Sequence, residues 1–315
     1  YSDCYLDDRV IDSGNISDVS NVLTLSSGEY SSSCTPINEN NGNYNCTWDS
    51  TSKPEGYWNI TIQSSKTYYT SNTTTFENWF WLENRPPIVS NLNVTPSIGG
   101  WGSIFNYSAY VEDPENDDVT CSLYVNTAGA WIYKGSKTIS TPGTCYIEVN
   151  DFTCEDQGIA KFYFVVNDTF NKVNTSESEI SIGPAITKND IHLTLISGDG
   201  AKVNRSDSNI GNEVAFVIRG TDLTRNSVPL ENTNLTFYVT YDQVNYRSYR
   251  VNFNSSGYAS LEFNPDCQFV PGMQAWFAKV ENDACYFETY TNSTPSQNYS
   301  VEIYGDLILE VVSPK

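Results

Sequence analysis

The central part of the chain alternates apolar and polar residues over short runs that are separated by Gly, Pro, Asn and Asp. A period of two is typical of strands with one buried face, and short strands at this spacing are typical of a β-sandwich. The predicted strands are Ile88–Val94, Ile104–Val111, Val119–Val125, Trp131–Tyr133, Cys145–Val149, Ile159–Val166 and Ser178–Ile182. We therefore predict an all-β, immunoglobulin-like (Greek-key) sandwich here.

The pattern of the C-terminal part predicts a second sandwich, whose strands are spaced differently from those of the central part. Its predicted strands are Ile191–Ile196, Glu213–Gly220, Asn234–Tyr241, Tyr246–Phe253, Gly257–Phe263, Met273–Val280, Tyr286–Tyr290 and Tyr299–Val312. The chain has one Met and many Thr, Tyr and Asn residues, so it contains few residues that favour helices. This composition supports an all-β chain.

The N-terminal part repeats the pattern of the central part more weakly. Its segments Cys46–Asp49, Gly56–Ile62 and Thr73–Leu82 follow the order of Cys145–Glu148, Gly158–Val166 and Asn174–Ile182. We expect the N-terminal part to have the same kind of sandwich core as the central part. Its own N-terminal half is rich in Ser, and we expect few strands there.

Two Pro-containing sites predict the domain boundaries. Pro86-Pro87 directly follows an aromatic run, and Gly183-Pro184 follows the last predicted central strand. We therefore predict an N-terminal sandwich-like domain over 1–85, an immunoglobulin-like domain over 86–184 and a second one over 185–315.

The chain is strongly acidic, with a formal net charge of −21. Such a surface repels phosphate backbones, so we expect no nucleic-acid partner. The charge either keeps the protein soluble or binds cations. No stretch approaches the roughly 20 apolar residues that span a bilayer. We expect a secreted chain without its signal sequence, whose native polypeptide continues beyond Lys315.

Acceptor triplets for N-glycosylation occur along the whole length of the chain. They begin at Asn15, Asn45, Asn59, Asn72, Asn93, Asn106, Asn167, Asn174, Asn204, Asn234, Asn254, Asn292 and Asn298. Their spread is typical of an extracellular protein that carries covalent N-glycans on every domain.

The eight cysteines indicate disulfides in an oxidising compartment, because none stands in a C-x-x-C pair. Local pairing within each domain predicts Cys34–Cys46, Cys121–Cys145 and Cys267–Cys285. The remaining Cys4 and Cys154 either pair with each other or indicate that one local assignment is wrong.

Two motifs resemble those of known surface proteins. The stretch from Pro86 to Val119, with its Pro-Pro opening and its acidic turn, resembles repeats of archaeal cell-surface, S-layer-type glycoproteins with tandem immunoglobulin-like domains. The stretch from Asn254 to Ala278 is similar to the end of invasin-type repeats. The resemblance implies a structural, self-assembling role outside the cell, as a surface layer, sheath or extracellular filament.

The acidic turn after the second central strand offers several oxygen ligands in a short loop. Calcium prefers carboxylate and amide oxygens, so Asp113, Glu115, Asp117 and Asp118 are candidate ligands. The turn lacks the spacing of an EF-hand loop, and the alternative is a solvated turn whose acids cap their own backbone.

The sequence gives little support to catalysis, and we expect no enzyme activity. His192 is the one imidazole of the chain, and it lies in an ordinary alternating strand. Phosphate loops, dinucleotide-binding fingerprints and distinct carboxylate pairs are lacking.

Aromatic residues are abundant, and they allow a second function. Trp79, Trp81, Trp101, Trp131 and Trp276 either fill cores and domain contacts or form platforms that stack on sugars of a host or a neighbouring cell. The second possibility would make the protein an adhesin or a carbohydrate-binding surface protein.

Self-association through strand addition is the mechanism expected for assembly with copies of itself. The apolar segment Asp306–Val312 is the candidate donor strand, and the alternative is that it completes its own domain.

Overall fold

The computed structural model describes residues 8–9, 20–39, 43–50, 53–127, 129–170, 173–176, 180–206, 213–291 and 298–305. Among these residues the regular structure is β, apart from one 3-10 turn at Cys154–Asp156. The chain is an all-β protein of β-sandwich type, as the alternating pattern predicted. Cys4, Asn15, Asn292 and the segment 306–312 lie outside the described residues.

The strands are β1 (Asp8–Arg9), β2 (Ser20–Ser27), β3 (Tyr30–Cys34), β4 (Ile37–Asn38), β5 (Asn43–Asn45), β6 (Gly56–Ser65), β7 (Asn72–Leu82), β8 (Ile88–Thr95), β9 (Ile98–Gly100), β10 (Phe105–Glu112), β11 (Val119–Asn126), β12 (Trp131–Ile139), β13 (Gly143–Val149), β14 (Gly158–Asp168), β15 (Val173–Thr175), β16 (Ser181–Thr187), β17 (Ile191–Ser197), β18 (Ala201–Asn204), β19 (Val214–Asp222), β20 (Val228–Pro229), β21 (Asn234–Thr240), β22 (Tyr246–Asn252), β23 (Tyr258–Phe263), β24 (Gly272–Val280), β25 (Thr289–Tyr290) and β26 (Tyr299–Tyr304).

The strands form two compact units, and each unit combines segments that are distant in sequence. Unit 1 comprises 1–95, 106–148 and 161–182. Unit 2 comprises 96–105, 149–160 and 183–315.

The N-terminal part of unit 1 contains an antiparallel sheet of order β3-β2-β6-β7. Leu23 and Leu25 of β2 alternate with exposed or half-buried polar residues and pack with Trp48 and Trp58. The expectation of few strands in the Ser-rich half is therefore wrong. Serine, threonine and Val22 occupy the outer face of β2, while Leu23 and Leu25 bury the other face.

The sandwich of unit 1 packs the sheet β13-β10-β8 against strands β11, β12, β14 and β15. Alternate residues of the facing strands are fully buried, including Tyr107 on β10, Leu123 on β11 and Phe162 on β14. Tyr107 meets Phe162 edge to face, with ring centroids 5.0 Å apart. The predicted central strands correspond closely to β8, β10, β11, β13 and β14. β12 runs on to Ile139, beyond the predicted end at Tyr133, and β16 (Ser181–Thr187) overlaps only the end of the predicted strand Ser178–Ile182.

The sandwich of unit 2 consists of two sheets that pack face to face. One contains β17, β19, β20 and β23, and the other has the order β18-β26-β24-β21-β22, with β25 paired to β24. Phe216 of β19 stacks on Trp276 of β24, with ring centroids 4.3 Å apart and rings parallel within 1°. Phe237 of β21 joins this buried pair. These rings form the centre of the core.

A short parallel strand recurs twice in unit 2. β9 pairs in parallel with β16, and β18 pairs in parallel with β26. In both cases the short strand follows the first strand of a predicted domain and pairs with its last. β16 also runs through Gly183-Pro184, so this dipeptide lies within a strand and not in a linker.

The disulfides differ in part from the predicted pairing. Cys34 and Cys46 are joined, as the local rule predicted. Cys285 is joined to Cys154, which corrects the pairs Cys267–Cys285 and Cys4–Cys154. The two partners lie far apart in sequence, and the chain returns them to neighbouring positions in unit 2, which local spacing could not reveal.

The predicted Cys121–Cys145 disulfide is absent from the structure, in which both residues are buried free thiols. They lie on facing strands β11 and β13 and hydrogen-bond to each other. That hydrogen bond lowers the pKa of Cys145, whereas the same bond and burial raise the pKa of Cys121.

Candidate functional sites

The acidic turn after β10 is organised by Asp113. Its Oδ1 accepts hydrogen bonds from the backbone N–H groups of Glu115 at 2.9 Å and Asp117 at 3.0 Å. The carboxylate thus caps the turn, as the alternative interpretation of the sequence has it, but Asp113 is 5% exposed and therefore not solvated. Its second oxygen, Oδ2, is buried and accepts no hydrogen bond.

Asp168, which is distant in sequence, lies beside this turn, because it is the cross-strand partner of Val119. Asn84, in the segment between β7 and β8, donates from Nδ2 to Oδ2 of Asp168 at 2.8 Å. Asp168 ends β14, and its Oδ1 accepts the backbone N–H of Phe170. Asn84 is 4% exposed, and its own Oδ1 accepts no hydrogen bond. We call Asn84, Asp113, Asp117 and Asp168 the buried oxygen cluster, since each is 5% exposed or less.

The four predicted calcium ligands are therefore divided by the structure. Asp113 and Asp117 belong to the buried oxygen cluster, whereas Asp118 is exposed. Glu115 is half-buried and forms an ion pair with Nε of Arg85 at 3.0 Å. No sequence pattern singled out Asn84 and Asp168, although both are polar residues next to predicted strand ends.

Charge and burial act together on Asp113. Burial raises the pKa of its carboxyl group, and the nearby carboxylates of Glu115 and Asp168 raise it further, while the two backbone hydrogen bonds oppose this rise. Within the described ranges, no group of three or more Asp, Glu, His or Cys side chains is placed so that it could hold a metal ion.

A cleft opens beside the turn, and its lining is mostly polar and acidic. Asp49, Glu83, Glu112 and Glu115 contribute carboxylates, and Arg85 contributes a cation. Trp48 and Trp81 add aromatic surface from the N-terminal part of unit 1.

A second Asn–Asp pair occurs in unit 2, where an arginine balances the charge. Asn189 donates from Nδ2 to Oδ2 of Asp222 at 2.8 Å, and Arg225 donates from Nε to the same oxygen at 2.8 Å. The guanidinium lies over the ring of Trp101 at 4.5 Å, and the Trp101 indole N–H donates to the Cys285 carbonyl. This network joins the segment 96–105 to the sandwich of unit 2.

The predicted aromatic platforms are also divided. Trp101 and Trp276 are buried, as expected for core residues. Trp79 and Trp81 on β7 are 56% and 54% exposed, and Trp131 on β12 is half-buried. Tyr57 packs edge to face on Trp81 at 4.9 Å, and Phe76 packs on Trp79 at the same distance.

Aromatic pairs recur on the outer sheet faces. Tyr124 and Tyr163 are direct cross-strand partners on β11 and β14, and their rings stack at 5.2 Å. Tyr238 and Phe277 are direct partners on β21 and β24, and their rings stack at 5.0 Å. Their chain neighbours point into the core, so these rings face outward.

His192 is an exposed residue of β17 whose Nδ1 lies 3.2 Å from the hydroxyl of Thr194. Both side chains are on the outer face of the sheet, because the residues between and before them are buried. The position agrees with that of a surface strand residue.

The described sequon asparagines are at least partly exposed. Those with exposed side chains are Asn72, Asn93, Asn106, Asn204, Asn234, Asn254 and Asn298. Those with half-buried side chains are Asn45, Asn59, Asn167 and Asn174. Asn174 uses its Nδ2, the atom that would carry a glycan, to donate to the Pro87 carbonyl at 2.7 Å.

Within the described part of the chain, no helix is both long and apolar enough to cross a membrane. The sequence matches no protein-family model and no curated protein.

The fold has low similarity to several solved structures, and two of these are adhesion proteins. A tetra-tandem repeat from the extending region of a large adhesion protein is 12% identical, with a TM-score of 0.37, and the alignment covers 90% of this chain and 65% of that one. A bacterial ice-binding adhesin is 13% identical, with a TM-score of 0.26 and coverage of 92% and 87%. Salmonella α-2-macroglobulin is 9% identical, with a TM-score of 0.26 and coverage of 91% and 22%.

Proposed function

We propose that this chain is a structural, non-catalytic part of an extracellular surface glycoprotein that associates with copies of itself in a surface layer, sheath or filament. The paired cysteines Cys34–Cys46 and Cys154–Cys285 support an oxidising compartment. Exposed sequon asparagines in both units support covalent N-glycans on the solvent faces.

The observation that carries self-association is the recurring aromatic pair on the outer sheet faces. Three separate sheets place such a pair at directly opposed positions: Tyr57 with Trp81, Tyr124 with Tyr163, and Tyr238 with Phe277. Large rings with a polar end are favoured at protein interfaces because they bury much apolar area at a small cost in side-chain entropy. Repetition along the chain supplies several equivalent contacts to an assembly.

Sedimentation of the secreted chain over a range of concentrations tests this proposal. We expect species that grow with concentration. A variant with Trp81→Ser and Tyr133→Ser should associate at least about tenfold more weakly, because Trp81 belongs to one pair and the Tyr133 ring lies 5.7 Å from the ring of Tyr124 in another. Both residues are more than half exposed, so their loss should leave the fold intact.

The matched control carries Tyr68→Ser and Tyr146→Ser, which remove rings that are at least as exposed, one from a turn and one from the opposite sheet face. The control should assemble like the parent chain. A parent chain that remains monomeric throughout, or a control that weakens association as much, would contradict the proposed interface.

Carbohydrate binding is the second candidate function, and exposed tryptophans favour it. Trp79 and Trp81 present more than half of their surface to solvent on β7, beside Phe76 and Tyr57. Indole faces of this kind stack on sugar rings. Binding of the monomeric chain to a glycan array, lost in Trp79→Ser and retained in Tyr68→Ser, would identify an adhesin.

A further inference from the structure

We propose that the buried oxygen cluster of Asn84, Asp113, Asp117 and Asp168 binds a calcium ion that stabilises unit 1. The proposal is independent of the proposed function, because it concerns stability in unit 1 and not association.

Two buried oxygens in the cluster have no hydrogen-bond donor. Asp113 and Asn84 are 5% and 4% exposed, and neither Oδ2 of Asp113 nor Oδ1 of Asn84 accepts a hydrogen bond. A buried oxygen without a partner costs free energy, and native structures satisfy nearly all such atoms with protein, water or an ion. The carboxamide of Asn84 is held in the cluster by its 2.8 Å bond to Asp168.

The charges of the cluster have the same sign. Asp113 experiences the negative charges of Asp168 and Glu115 in a place from which water is largely excluded. Buried carboxylates are stabilised by a cation, either an amino-acid side chain or a metal ion. Arg85, the basic residue that lines the adjoining cleft, is directed to Glu115 instead.

The corresponding place in unit 2 shows how a protein cation satisfies a similar arrangement. Asp222, at the end of β19, receives both the amide of Asn189 and the guanidinium of Arg225. Asp113, directly after β10, receives two backbone N–H groups, and no ion pair of its carboxylate is found in the described residues. A bound metal ion would supply in unit 1 the positive charge that Arg225 supplies in unit 2.

Calcium fits this set better than other common cations. It accepts about six to eight oxygen ligands from carboxylates, amide carbonyls and water in flexible geometry, whereas magnesium demands a strict octahedron. Three carboxylates do not yet converge on one point. We assign Asp113 Oδ2 and Asn84 Oδ1 as ligands because both oxygens are buried without a hydrogen-bond donor, and Asp117, Asp168 and water would complete the shell. EF-hand loops of extracellular modules bind calcium at about 0.1–1 mM, and we expect an affinity of this order here.

Thermal unfolding of the whole secreted chain, freed of metal by a chelating resin, tests the site. We expect millimolar calcium to raise the midpoint of unfolding by about 2–4 °C or more relative to excess chelator. Asp113→Asn should abolish this rise, and so should Asn84→Ala. Asp118→Asn is the matched control, because it removes an exposed charge from the same turn, and it should retain the full response.

Asp113→Asn also has an expected effect without calcium. The amide oxygen can still accept the two backbone hydrogen bonds, and one buried negative charge is removed, so the midpoint in chelator should rise. A parent chain whose midpoint does not respond to calcium would overturn the proposal. An unchanged calcium response in Asp113→Asn, or an equal response to the same concentration of magnesium, would also overturn it.

Discussion

Gly257 lies in the turn between β22 and β23, where φ is +79°. Its backbone N–H donates to the Asn254 carbonyl at 2.9 Å, and its own carbonyl accepts the N–H of Gly220 at 2.8 Å. A Cβ at this position would lie 2.7 Å from the Gly220 carbonyl oxygen. The invasin-like motif therefore has a physical reason for glycine here, in both the backbone angle and the close approach of β19.

Replacing this glycine by alanine should destabilise unit 2. We expect Gly257→Ala to lower the free energy of unfolding by about 2–4 kcal/mol, because strain at positive φ adds to a clash with backbone atoms. Chemical denaturation followed by intrinsic fluorescence measures the change.

Gly200→Ala is the matched control, since Gly200 also has a positive φ, of +68°, but has open space around its Cβ position. It should cost about 1 kcal/mol. An equal loss in both variants would show that backbone angle alone, and not the contact with Gly220, determines the effect.

At the scale of elements, the outer face of β21, β24 and β25 is held together by a lysine. Lys279 forms an ion pair with Glu281 at 2.6 Å, and its ammonium lies over the rings of Tyr238 and Tyr290 at 5.3 and 5.4 Å. Burial by itself would raise the pKa of Glu281, but hydrogen bonds from Lys279 and Tyr238 hold it below its usual value. The hydrogen bond to Glu281 raises the pKa of Lys279.

These shifts predict a pH-dependent contribution to stability. A lowered carboxyl pKa in the folded state stabilises at pH values above the ordinary pKa of Glu, and this contribution is lost as pH falls through the folded pKa. A raised lysine pKa stabilises below the ordinary pKa of Lys and is lost as pH rises through the folded pKa. The stability difference between the parent chain and Glu281→Gln should therefore be largest near neutral pH and shrink on both sides.

Denaturation midpoints at several pH values measure this difference. Glu288→Gln is the comparison variant, because Glu288 lies 3.7 Å from the same ammonium and is half exposed. Its effect should be smaller at every pH, since exposed pairs are screened by water and salt. A difference for Glu281→Gln that does not change with pH would exclude the ion pair as its cause.

At the scale of the whole molecule, the disulfide Cys154–Cys285 joins residues 131 apart in sequence within unit 2. The carbonyl of Cys285 also accepts the indole N–H of Trp101, and Gln157 donates to the Ala284 carbonyl. The segments 96–105 and 149–160 are thus held in unit 2 by covalent and polar contacts, although they lie before its main sandwich in sequence.

Removing this disulfide should destabilise unit 2 strongly. In the chain-entropy model, the double variant Cys154→Ser and Cys285→Ser should lose about 4–5 kcal/mol of unfolding free energy. The disulfide Cys34–Cys46 closes a shorter loop, with a sequence separation of 12. The double variant Cys34→Ser and Cys46→Ser should therefore lose only about 3 kcal/mol of unfolding free energy. Denaturant unfolding of each variant measures both losses. A larger loss in the Cys34/Cys46 variant would show that native contacts, and not loop closure, determine the effect.

The sequence was most informative where one face of a strand is buried. Strands β10, β11 and β14 alternate strictly, so their bounds were predicted closely. β2 was missed because serine and threonine occupy much of its outer face, and the short β9 and β18 offer too few residues for a period to be read. Asp113 and Asp117 were identified from a single turn, whereas Asn84 and Asp168 reach that turn only through strand packing.

By itself, then, the sequence determined the all-β, β-sandwich class and the acidic turn, because alternation and turn chemistry are local properties. The tertiary structure decided which acids of that turn are buried and which polar residues from β7–β8 and β14 meet them. It also decided the partner of Cys285 and the faces on which aromatic rings are exposed. These features depend on contacts between residues that are far apart in sequence, and such contacts follow from the packing of the sheets and not from any local pattern.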